Sequence, residues 1–186
     1  RASGGIGLIS SKINLEGPIQ KGKSSFLFGA RRTYADAVAR LSGVEDAQNA
    51  YLYFYDLNMK LNFHLSGQDQ LSVSGFLGRD RMILKDLAET GWGNTFGAIR
   101  WTREQNSKLN FTTSLLYNRY SYDMEMDFGM TLGGKAQLSD WAFKEEVTYQ
   151  PKEGSTWRFG WQSTHHDIGP GDYYADAEES AAINLH

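Results

Sequence analysis

The chain has 186 residues, 40% hydrophobic and 13% aromatic, with mean hydropathy -0.50 and formal net charge -3. That charge is too weak for the basic stripe of a nucleic-acid binder, and the absence of cysteine excludes a disulfide framework or a thiolate metal site. No run of about 18 apolar residues occurs, so a transmembrane helix is excluded, but a β-barrel is not, because its polar lumen lowers the mean hydropathy.

Residues 1–20 lack the basic start and apolar core of a signal peptide, and the sequence does not begin with Met. A mature or excised segment is therefore expected. In chain order, period-two alternation first runs from Ile9 to Ile19, with Ile13 and Leu15 opposed to Lys12, Asn14 and Glu16. Phe26, Phe28 and Ala30 form the next face. From Asp56 the pattern is nearly unbroken. Leu57, Met59, Leu61, Phe63 and Leu65 alternate with Asp56, Asn58, Lys60, Asn62, His64 and Ser66. Leu71 to Leu77, Thr95 to Trp101, Leu109 to Tyr117, Trp141 to Tyr149 and Trp157 to Trp161 continue the series. That makes eight expected strands, with a short helical turn possible between Tyr34 and Leu41.

Connections differ in length. Tight polar ones are expected at 20–23, 67–70, 106–108 and 152–155, and longer ones at roughly 35–50, 80–93 and 124–137. The chain after 165 is expected to open a fourth long connection. Short turns at one end and long loops at the other fit an outer-membrane barrel. The apolar alternation of about 9 to 11 residues suits a tilted strand crossing hydrocarbon. Tyr51, Tyr53, Tyr55, Trp141, Tyr149 and Trp157 lie near strand ends, as an aromatic girdle would. On this reading Leu57, Met59, Leu61, Phe63 and Leu65 face lipid. Asp56, Asn58, Lys60, Asn62, His64, Arg100, Lys144 and Glu146 face the lumen, together with Lys12, Asn14, Glu16 and Arg158. Arg32 points outward at the upper interface, toward lipopolysaccharide phosphates.

No catalytic, cofactor or metal site is expected. His165 and His166 are adjacent, so a strand would aim them to opposite faces. Asp167, Asp172 and Asp176 match no calcium-loop spacing and read as an exposed loop, in which Tyr173 and Tyr174 could stack on a substrate. Glu145 alternates onto the lipid side near mid-strand. It requires a high position on the wall, a bulge, or a different reading there. No Gly-x-Ser-x-Gly, P-loop or His-Glu-x-x-His pattern occurs, so enzyme activity is not expected.

The phrases "KINLEGPIQKGKSSFLFGARRTY", "YFYDLNMKLNFHLSGQDQLSVSGFLGRD" and "TFGAIRWTREQNSKLNFTTSLLYNRYSYD" resemble early barrel strands of TonB-dependent outer-membrane receptors of the Bacteroidetes type, including SusC-like relatives. The likeness covers about residues 5–165. It implies a 22-stranded barrel with a plug domain, uptake driven by the TonB–ExbB–ExbD complex, and a possible SusD-like surface lipoprotein. Residues 1–186 would then be the N-terminal part of the barrel domain, without the plug or the remaining strands. The last residues also lack the aromatic that usually ends a complete barrel. The rival expectations are a passive porin-like small barrel and a soluble β-sandwich that binds glycans.

Overall fold

Alternating, proline-poor sequence rich in aromatic and branched residues favours extended chain. In the computed structural model, which describes residues 1–34 and 49–176, it gives one antiparallel meander. The strands are β1 (Ala2–Ile6), β2 (Ser10–Gln20), β3 (Ser24–Thr33), β4 (Ala50–His64), β5 (Asp69–Leu84), β6 (Ala88–Asn106), β7 (Leu109–Asp127), β8 (Thr131–Lys152) and β9 (Ser155–Asp176). Each pairs with its sequence neighbours, and the sheet does not close. No helix occurs among the described residues.

Three expectations need correction. Among the described residues the strands number nine, because Ala2–Ile6 pairs with Ser11–Leu15. The long connections at 80–93 and 124–137 are hairpins that close at residues 85–87 and 128–130. The segment after 165 is the upper half of β9, so His165, His166 and the "GPGDYYAD" stretch lie in a strand. The expected loop at 35–50 and the helical turn after Tyr34 fall largely outside the described residues.

The ladder breaks where the chemistry requires it. Register shifts fall at Pro18–Gln20, at Glu104–Asn106, at Tyr149–Lys152 (which brackets Pro151), and at Lys135–Gln137, opposite the stretch containing Pro170. These sites take all three prolines of the sequence. A residue without an N–H cannot complete a ladder, and a bulge tolerates it. Turns use the left-handed region at Gly22, Gly129, Gly154 and Asp86.

No hydrophobic residue is buried among the described residues. Stable soluble domains cover a sheet's apolar face with a second layer. Among the described residues one layer stands alone, and its apolar face is open.

Candidate functional site

Residues paired across neighbouring strands share a side of the sheet. On one side lie Asp56, Asn58, Lys60, Asn62 and His64 of β4. On the other lie Leu57, Met59, Leu61 and Phe63. Leu65 and Ser66 belong to the turn, where the Leu65 N–H donates to the Asp69 carbonyl.

The Asp56 side gathers several of the expected lumen residues. Asn62, Ser72, Arg100, Ser114, Lys144 and Gln162 form one row through six strands. His64 and Glu146 share the next row down. Ser72 Oγ donates to Asn62 Oδ1 at 2.8 Å, and Lys144 Nζ lies 3.0 Å from Glu146 Oε2. Arg31 meets Asp56 at 2.8 Å, and His166 Nδ1 lies 2.5 Å from Asp140. Among the described residues no group of three or more His, Asp or Glu is placed to hold a metal.

The Leu57 side carries a band. On β7 it runs from Leu109 to Tyr117, and on β8 from Trp141 to Tyr149. Tyr117 and Trp141 pair at its upper edge with ring centroids 4.7 Å apart. Trp157 and Tyr149 face each other at its lower edge. Tyr55 borders the band on β4. Tyr51 and Tyr53 lie higher, in register with Ile83 and Arg81. Glu145 does lie within the band. No bulge falls between Ser139 and Tyr149, and Thr113 Oγ1 donates to Glu145 Oε2 at 2.6 Å.

The band slants across the register rows. The row through Phe63, Leu71, Trp101, Thr113, Glu145 and Trp161 serves as a ruler. At the first lower turn, Ser24 of β3 sits level with Phe63. At the last, Ser155 of β9 lies six residues below Trp161 (161 − 155). Six residues across six strands, β3 to β9, is about one residue per strand. At 3.3 Å per residue and 4.8 Å per strand, that is a tilt of about 35°. The band's upper edge descends in the same direction, from Leu77 on β5 to Trp161 on β9. Its nine residues on β7 or β8 then stand about 22 Å tall, against about 25 Å for a barrel's apolar belt.

Polar groups mark the lower margin. Asp69 accepts from Ser66 Oγ at 2.7 Å, Trp101 Nε1 at 3.2 Å and Arg103 Nη1 at 3.3 Å. The Ser66 hydrogen bond, with the Arg103 charge and the Trp101 and Arg103 hydrogen bonds, outweighs desolvation and holds the Asp69 carboxyl below its ordinary value.

Above the band the two sides exchange chemistry. The Leu57 side becomes charged. Arg79 of β5 reaches over β6 to Asp123 of β7 at 2.7 Å. It passes Gly91, where a Cβ would lie 3.0 Å from Asp123 Oδ2. Tyr174 of β9 reaches over β8 to Glu125 of β7 at 2.7 Å. It crosses Gly133, where a Cβ would collide with the Tyr174 ring. Glu125 holds the Tyr174 hydroxyl above its ordinary value, chiefly by accepting its hydrogen bond. Arg81 and Glu89 pair nearby. The Asp56 side becomes apolar, with Leu52, Phe54, Met82, Trp92, Tyr122 and Met124. Sequence reasoning missed these struts because it followed apolar residues. Alternation continues through 79–92 and 119–137 with its sign reversed, and that reversal was the available signal.

Comparison with family models, with curated proteins and with solved structures returns no match.

Proposed function

We propose that the chain is a stretch of β-barrel wall in a bacterial outer membrane. The observation that carries the reading is the slanted apolar band. A tilted strand crossing a flat hydrocarbon layer leaves an apolar stretch whose edges follow the layer, not the hydrogen-bond direction. The absence of a buried apolar core among the described residues points the same way, since lipid can cover what no second layer covers. The reversal of polarity above the band weighs against a β-sandwich, whose inner faces stay apolar along the strand.

Parity bears on closure. β1 and β9 run in the same direction, so an all-antiparallel ring needs an odd number of further strands between them. A barrel of 22 strands would leave thirteen (22 − 9), which is odd. Within this class, the sequence phrases around residues 12–34, 53–80 and 95–123 favour a TonB-dependent transporter for energy-coupled nutrient uptake, working with TonB–ExbB–ExbD. In that protein the Leu57 side meets lipid, and the Asp56 side meets the plug and the substrate path.

Single-tryptophan variants test the membrane reading. In bilayers with acyl chains brominated close to the headgroups, a variant keeping only Trp161, on the Leu57 side at the band's upper edge, is strongly quenched. One keeping only Trp92, on the Asp56 side, is not. A folded monomer that remains in buffer without detergent would sink the proposal.

A further inference from the structure

Above the row Gly78–Asn94–Tyr120, the Asp56 side of β4 to β8 carries a single charged side chain, Asp80. Its neighbours in register are Phe54 on β4 and Trp92 on β6, with Tyr122 next to Trp92 on β7. Met82 follows Asp80 on the same side of β5. Directly paired residues hold their Cβ atoms about 5 Å apart, so the carboxylate stands between two aromatic side chains. Asp80 is half-buried and has no hydrogen-bond or ion-pair partner among the described residues. Three further carboxylates above the band, Asp123, Glu89 and Glu125, are paired, and they lie on the opposite side.

The row is held in place. Thr33 Oγ1 accepts from the Phe54 N–H at 2.8 Å and donates to the Phe54 carbonyl at 3.3 Å, fixing β4 where its pairing with β3 ends. Arg31 lies over the Phe54 ring, its Cζ 5.0 Å from the centroid, so that ring already receives a cation on one face. Asp56 neutralises Arg31, and Asp80 is left as the uncompensated charge of the group.

We propose that Asp80, Phe54 and Trp92 form a binding site for an organic cation, an ammonium or guanidinium group on an apolar body. A carboxylate supplies the counter-charge. Indole and phenyl faces attract the cation through their quadrupoles. Leu52, Met82 and Met124 offer an apolar, adaptable bed for the attached carbon chain. A carbohydrate would leave the Asp80 charge uncompensated, whereas a cation neutralises it. The site rests on one register row and stands whether or not the sheet is membrane wall. Solubility in buffer would end the membrane reading without touching this one.

The test is calorimetric titration of the full chain in an uncharged maltoside detergent, with choline, its neutral carbon analogue 3,3-dimethylbutan-1-ol, and Nα-acetyl-lysine methylamide. One or both cations saturate a single site, and the neutral analogue binds at least about tenfold more weakly. Tighter binding of choline assigns the site to free or lipid-borne ammonium groups, and tighter binding of the lysine derivative to protein-borne ones. Asp80→Asn, which keeps size and shape, weakens the cation by about tenfold and leaves the neutral analogue unchanged. Trp92→Leu weakens it as well. Equal binding of choline and its neutral analogue overturns the proposal, as does indifference to Asp80→Asn or the absence of saturable cation binding.

Discussion

Gly91 and Gly133 lack a side chain where a Cβ would crowd the first strut and collide with the second, each strut spanning three strands. The Arg79–Asp123 and Tyr174–Glu125 contacts each skip a strand, and each needs a gap over the strand between. Gly91→Val fills the first gap. The expected cost is about 1–3 kcal/mol, read as a lower denaturant midpoint at unchanged slope. Asp123→Asn, which removes the ion pair without adding bulk, should cost less, because a half-buried pair open to solvent screening contributes only about 1 kcal/mol. At the lower margin, Asp69 gives a pH signature. Its folded carboxyl lies below the ordinary value of 3.8, so its stabilising contribution is complete above that value. As pH falls through 3.8 toward the lower folded value, the contribution is lost. Thermal midpoints should therefore drop across this range in the native protein and drop less in Asp69→Asn. Equal drops would mean that Asp69 is unimportant to the turn.

At the scale of the strand, the two sides of the band predict opposite tolerances. Leu115 and Ala98 occupy adjacent rows on neighbouring strands, and they point to opposite sides. In a bilayer, Leu115→Arg should cost about 2–4 kcal/mol, and Ala98→Arg should stay within about 0.5 kcal/mol. Reversible unfolding from vesicles measures both, and similar costs would contradict a one-sided apolar layer. The strands themselves were legible in sequence wherever the apolar phase held, as in Leu57–Phe63 and Leu109–Tyr117. They were not legible where charge took over that phase. At Arg79–Arg81 and Glu89, and again at Arg119–Lys135, period two persists, but the side that was apolar is now ionic. Hydrophobic periodicity reports burial first and strand second, so it ended these strands about ten residues early. β1 was missed for a related reason: "ASGGI" has almost no side chains with which to alternate.

At the scale of the whole sheet, the candidate site was only partly readable, because it depends on register. That Asn62, Arg100 and Lys144 align in one row, or that Asp80 falls between Phe54 and Trp92, follows from pairings set by turns and bulges many residues away. The same register yields a quantity that no single strand contains. The lower turns descend by about one residue per strand, which fixes the angle between the strands and any flat layer parallel to the band at about 35°. Polarised infrared spectra of oriented bilayers report this angle through the dichroism of the amide I band. A wall of tilted strands should give about 35–45° from the membrane normal. A sheet lying flat on the membrane surface would place its strands near 90°. A sheet adsorbed without orientation would show no dichroism. Either result would separate the slanted band from any membrane and leave the staircase of turns as a property of the sheet alone.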